Sequence, residues 1–172
     1  MKQKKGTVYW ITGLSGAGKT TIGTALYKRL SIDMDNLVIL DGDAIRKAFD
    51  YDIGYTREDR HKGAKRNSQL SKLLSEQGIN VICCTIGMFH DVREWNRENI
   101  ENYVEIFLRV PLDVLQKRDQ KGLYSGYEAG SVIDVVGVDL ELEFPRNPDI
   151  IIDNTGEYSV ESIVDRIMAY KG

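Results

Sequence analysis

The run Gly13-Leu14-Ser15-Gly16-Ala17-Gly18-Lys19-Thr20 constrains this chain more than any other feature. It follows a short apolar stretch, Thr7–Ile11, and opens Lys19–Leu30, which reads as a helix. Glycines at these spacings let the backbone wrap closely around a phosphate, and the N–H groups at the helix start face the anion. The pattern GxxxxGK[ST] is complete and stands in the strand-to-helix context that it needs. It assigns phosphate binding to Gly13, Ser15, Gly16, Ala17, Gly18, Lys19, Thr20 and Thr21. Lys19 is expected to reach the outer phosphates, and Thr20 to place a hydroxyl on Mg²⁺. ATP and Mg²⁺ are the expected cofactors.

The remainder of the 172 residues alternates in the same way. Apolar runs of strand length are Leu37–Leu40, Asn80–Thr85, Tyr103–Val110 and Asp149–Ile152. They are continuous rather than alternating, as in strands buried on both faces of a parallel sheet. Between them lie helical candidates. Arg57–Gln77 carries Leu70, Leu73 and Leu74 at helical spacing, with Thr56 and Asp59 at its start and Gly78 as its stop. Pro111 begins a helix that runs to about Arg118. Ser159 caps a last helix whose Val160, Ile163, Val164 and Ile167 share one face. The alternation implies an α/β, doubly wound fold in one domain spanning residues 1–172. The glycine-rich stretch from Lys121 to Arg146 has weaker periodicity and reads as a lid or binding loop.

Composition removes several classes. A net charge of -3 argues against a general binder of nucleic acid. The one local basic run is Arg57, Arg60, Lys62, Lys65 and Arg66, and Lys62 and Lys65 read as a solvated helix face. No stretch approaches the ~20 apolar residues of a membrane span, and no signal-peptide core follows the basic start. Cys83 and Cys84 are adjacent within an apolar run, so they form neither a CxxC pair nor a disulfide framework and read as structural thiols. A cytoplasmic address is the expectation. His61 and His90 lack metal-ligand spacing. Trp10 reads as core.

Leu40-Asp41-Gly42-Asp43-Ala44-Ile45-Arg46 ends the second strand. In a doubly wound sheet, the carboxyl ends of the strands face the ligand crevice. Asp43 is placed to accept the proton of an acceptor hydroxyl, Asp41 to hold the metal through water, and Arg46 to bind an anionic substrate. The competing reading is an acidic turn that caps a short helix. No guanine-reading NKxD sequence is present, so a small-molecule kinase is favoured over a GTPase. A regulatory protein that binds ATP without transferring phosphate is the alternative from another class.

These motifs, together with Gly54-Tyr55-Thr56-Arg57-Glu58-Asp59-Arg60, Arg118-Asp119-Gln120-Lys121-Gly122-Leu123-Tyr124 and Pro145-Arg146-Asn147-Pro148-Asp149, resemble the adenylylsulfate (APS) kinase family. The resemblance spans nearly the whole chain. It implies a P-loop kinase with a five-stranded, mainly parallel sheet, helices on both faces and a lid at about 119–146. It implies transfer of the ATP γ-phosphate to a ribose 3′-hydroxyl. Asp43 matches the family's proposed base, Arg46 and Arg60 its substrate-anion contacts, and Lys121 a cation near the transferred phosphate. Tyr55 stands where the family has a phenylalanine against the substrate base. The family often forms dimers, so the resemblance allows a homodimer.

Departures from the family pattern cluster on the acceptor pocket. Gly63 stands where the family has asparagine. Thr85-Ile86-Gly87-Met88-Phe89-His90 lacks the family's Ser-Pro-Tyr element, which places Met88 and Phe89 in the pocket. Asp134-Val135-Val136-Gly137 lacks the family's second aromatic residue. In this the chain resembles the cytidine diphosphoramidate kinase type of bacterial capsule biosynthesis. That acceptor is the first expectation, and adenylylsulfate in sulfate assimilation is the second.

Overall fold

The computed structural model describes residues 4–119, 122–131 and 143–171. Five strands, β1 (Val8–Thr12), β2 (Leu37–Asp41), β3 (Asn80–Thr85), β4 (Tyr103–Arg109) and β5 (Ile150–Asp153), form one sheet in the order β2-β3-β1-β4-β5. Every pairing is parallel. The carboxyl ends of β1, β2 and β3 therefore open on the same edge, where the phosphate loop, Asp41 and the residues after Thr85 meet.

Side-chain alternation along the strands feeds two cores. Ile11, Ile82 and Cys84 face one side with Ile22, Leu26 and Leu30 of α1 (Lys19–Leu30) and Ile163, Val164 and Ile167 of α7 (Val160–Met168). Val8, Trp10, Val81 and Cys83 face the other side. There Ala64 of α3 (Arg57–Glu76) and Val92 of α4 (His90–Asn99) cover them. Leu26 and Ile22 are almost fully buried, each worth ~1.5–3 kcal/mol of transfer free energy. At Gly23 a Cβ would collide with the Cys84 sulfur, so glycine is what lets α1 lie this close to β3.

The expected strands and the four expected helices are present within a residue or so of their expected ends. Thr56 caps α3 by accepting from the Asp59 amide, Gly78 ends the turn after it at φ 82°, and Ser159 caps α7. Pro111 is the residue before α5 (Leu112–Arg118) rather than its first helical residue.

Two expectations need correction. The buried face of α3 is Ala64, Asn67, Ser68, Ser71 and Ser75, while Leu73 is 54% exposed. Leu74 packs on the second core only at its margin. Small residues win this face because a 20-residue helix must lie close along β3 and β1. Two helices were also not anticipated, α4 and α6 (Leu123–Glu128), while α2 (Gly42–Ala48) is the short helix of the competing reading. Both α2 and α6 are short. In α4 the buried side chains are Val92, Arg93 and Asn96, so its inward face reads as polar.

Candidate active site

The phosphate loop is shaped by ties to its carbonyl oxygens. Arg118 Nη1 donates to Gly16 O (3.3 Å), Asn154 Nδ2 to Ala17 O (2.9 Å) and the Tyr124 hydroxyl to Ser15 O (3.2 Å). Arg118 Nη2 also donates to Asn154 O, which links two of these ties. Positive φ at Gly16 (80°) and Gly18 (94°) lets the chain turn between them. Gly13 and Ala17 are buried beneath the loop and contribute its shape, whereas Ser15, Gly16, Gly18, Lys19, Thr20 and Thr21 line a cleft of about 210 Å³. Lys19 Nζ donates to Leu14 O at 2.7 Å.

Across the cleft, Asp41 ends β2 with two tasks. Its Oδ2 accepts from the Thr20 hydroxyl at 2.7 Å, and its Oδ1 caps α2 by accepting from the amides of Asp43 (3.0 Å) and Ala44 (3.3 Å). Asp41 thus caps a short helix, as the competing reading has it, and still lines the cleft. Asp43 sits exposed in the first turn of α2 and lines the same cleft. Arg46, later in α2, donates to Ile53 O (2.6 Å) and Gly54 O (2.7 Å). Its guanidinium lies 4.5 Å from the centroid of the Tyr55 ring. Arg60 donates to Tyr55 O at 2.8 Å and lies 5.5 Å from the same ring. Two guanidiniums thus lie within 5.5 Å of the Tyr55 ring centroid, and the residue is 55% exposed at the cleft.

Arg66 also lines the cleft, paired with both carboxylate oxygens of Asp52 (2.9 and 2.6 Å) and lying over Phe49. The neighbouring guanidinium holds the Asp52 carboxyl below its ordinary range. Lys62 pairs with Glu58 and Lys65 with Asp91, both in exposed positions, as a solvated helix face requires.

The far wall is Met88 and Phe89, both buried and both lining the cleft. Arg57 lies over Phe89 and His61 meets its ring edge-on. A network that sequence reasoning missed holds this wall. Arg93 donates to Gly87 O (3.1 Å) and Glu143 O (2.6 Å), and its Nε faces Glu105 at 3.3 Å, with both side chains 5% exposed. Glu105 also pairs with Arg97, which reaches Asp149. Burial raises the Glu105 carboxyl above its usual value despite both arginines. Glu143 accepts from Arg57 and from the His90 amide, each at 2.6 Å. Spacing gives no sign of such a network, because its members come from α3, α4 and β4 and from the connections that carry Gly87, Glu143 and Asp149.

His61 pairs with Asp91 at 2.8 Å, and no cluster of potential metal ligands occurs among the described residues. Burial pushes the Cys84 thiol up to about 12 and the Cys83 thiol higher, which fits structural thiols. No helix among the described residues is long and apolar enough to cross a membrane. Lys121 and the stretch Asp134–Gly137 lie outside the described residues.

Residues 5–153 match the family model described as adenylylsulphate kinase. The chain belongs to the APS kinase family. A cytidine diphosphoramidate kinase of Campylobacter jejuni subsp. jejuni serotype O:2 is 39% identical over 94% of both chains. An APS kinase of Halothermothrix orenii is 36% identical over 99% of this chain and 91% of its own. Among solved structures, the Mycobacterium tuberculosis APS kinase in complex with AMPPNP and APS superposes with a TM-score of 0.87 at 28% identity, covering 95% of this chain and 96% of that one. The fold is that of an APS kinase-like P-loop kinase, and the activity is that of a phosphotransferase acting on an alcohol group. The regulatory alternative is set aside on the same grounds.

Proposed function

We propose that this APS kinase family member transfers the γ-phosphate of ATP to the ribose 3′-hydroxyl of a nucleoside 5′-phosphoanhydride. Cytidine diphosphoramidate, in capsule phosphoramidate synthesis, is the first acceptor, and adenylylsulfate is the second. The observation that carries phosphoryl transfer is the convergence of Lys19, Thr20, Asp41 and Asp43 on one cleft that also holds Tyr55, Arg46 and Arg60. The observation that favours cytidine is Gly63, which lines the cleft, adds no side chain to it, and where a Cβ would meet nothing within 4 Å. The Campylobacter relative points the same way.

Lys19 draws charge from the outer phosphates, as the breaking P–O bond requires. Its ammonium, one N–H of which donates to Leu14 O, has further N–H donors for them. Asp43 orients the acceptor hydroxyl and takes its proton, and Arg46 and Arg60 hold the anhydride. Bound Mg²⁺ supplies Lewis-acid neutralisation of the phosphate oxygens. The Thr20 hydroxyl and Asp41 carboxylate fit a hard cation, being oxygen donors already in contact. Lys121 is assigned to the transferred phosphate on the family resemblance. Transfer is in line and needs no covalent enzyme intermediate.

One reaction tests the reading. The protein, ATP and Mg²⁺ are incubated with cytidine diphosphoramidate and APS at equal concentration, and the 3′-phosphorylated products are separated. Preferential phosphorylation of the cytidine compound is expected. Preference for APS replaces the acceptor and keeps the activity, whereas no product from any nucleotide overturns the activity.

A further inference from the structure

We propose that Asn67 reads the acceptor's base, selecting bases that carry an exocyclic amino group beside an unprotonated ring nitrogen. This role rests on the nucleotide-kinase reading above. Asn67 lies in α3 on the face that lines the cleft, one helical turn beyond Gly63. Its side chain belongs to a residue only 5% exposed. The one hydrogen bond that the described residues supply runs from Nδ2 to the Thr85 hydroxyl, at a long 3.3 Å.

A primary amide has two donor hydrogens and an oxygen with two lone pairs. Here most of that capacity is unspent and faces the cleft that Asn67 lines. Gly63 leaves open the approach to this amide, since a Cβ there would meet nothing within 4 Å. Tyr55, Met88 and Phe89 line the same cleft and offer apolar and π surfaces to a ring.

In the orientation that the structure holds, Thr85 takes the Nδ2 side of the amide. With one Nδ2 hydrogen engaged on the Thr85 hydroxyl, the other lies beside Oδ1 as an acceptor–donor pair. The complement is an amino donor next to a ring-nitrogen acceptor. Cytosine offers N4 and N3, and adenine offers N6 and N1, so the rule holds for either acceptor. Uracil and hypoxanthine present an oxo group beside a ring N–H, which reverses both partners. Asparagine pairs two-fold with an amino base elsewhere in recognition chemistry, so the geometry has precedent.

The test compares the acceptor that the wild type prefers with its deaminated counterpart, uridine for cytidine or inosine for adenosine, each with the same 5′ group. The wild type is expected to favour the amino base by about tenfold or more in kcat/KM. In Asn67→Leu, the amino base is expected to lose about tenfold, the deaminated base to hold within about twofold, and the KM for ATP to stay unchanged. Thr85→Val keeps Asn67 and frees its amide to turn over, so the ratio should fall toward one there too. Equal loss on both bases in Asn67→Leu would make the residue structural and overturn the role. Wild-type turnover that is indifferent to deamination also overturns it while leaving the kinase reading intact. Phosphorylation of no nucleotide overturns both.

Discussion

The two sides of the cleft are built by different means. The phosphate-loop side is one continuous segment, Gly13–Thr20, whose carbonyls are tied back by Arg118, Asn154 and Tyr124. Its chemistry comes from the backbone and two side chains. The opposite side is assembled from Arg46 in α2, Tyr55 just before α3, Arg60 in its first turn, Asn67 a little further along and Phe89 after β3. Its chemistry comes from side chains alone. A backbone site tolerates sequence change poorly and binds what all nucleoside triphosphates share. A side-chain site is altered one residue at a time, and that is where this chain departs from the family pattern.

The largest expected effect falls on the loop side. Lys19→Ala is expected to raise the barrier to transfer by at least ~2–4 kcal/mol, the usual size of one electrostatic contribution in a preorganised site. Steady-state turnover measures it. Near wild-type turnover would remove Lys19 from the mechanism and make the two sides less unequal than they look.

Next comes the support beneath the opposite wall. Glu105→Gln leaves Arg93 buried beside Gly87 and Glu143 without its carboxylate. Breaking a buried pair from one end costs about 3–5 kcal/mol, so urea denaturation should show a loss of that order. Loss below ~1 kcal/mol would mean that water reaches the network and that the wall does not depend on it.

How much of each side the sequence made legible follows from the same contrast. Lys19, Thr20 and the turn glycines could be read because the loop is contiguous and each residue type has one reason to be there. Asp41 and Asp43 could be placed because a strand end fixes where they point. Arg93, Arg118 and Asn154 could not, since each acts on residues distant in the chain and each is unremarkable among its neighbours. Asn67 was hidden for another reason. A polar residue on a buried helix face contradicts the expectation that leucines mark the inside, and Leu73 pointed reading toward the wrong face. The absence of an amide at Gly63 was visible, while the amide one turn later was not.

A smaller effect sharpens the acceptor side. Tyr55→Ala removes a ring that lies beside Arg46 and Arg60 and should weaken the acceptor by roughly 1–3 kcal/mol, seen in its KM, with the KM for ATP unchanged. Tyr55→Phe keeps the π face and should stay within about twofold. A matching loss in Tyr55→Phe would shift the role from stacking to the hydroxyl.

The smallest effect concerns two neighbours that belong to opposite sides. Cys84 packs in the core beneath the phosphate loop, with Sγ 3.4 Å from Lys19 O, and it lines the cleft; Cys83 packs in the core beneath α3. Burial raises both thiols, to about 12 for Cys84 and higher for Cys83. A raised thiol pKa means that the fold prefers the neutral form. That contribution to stability is complete below the unfolded value near 9 and declines as pH rises from there toward 12. At pH 8 neither thiol should react with iodoacetamide in the folded protein, and activity should be unaffected. Toward pH 10 Cys84 should be alkylated before Cys83, because it alone of the two opens on the cleft, and ATP should slow that reaction. In urea the two rates should converge. Equal rates in the folded state, or no protection by ATP, would show that the labelling reports unfolding and that the sheet does not separate the two sides as described.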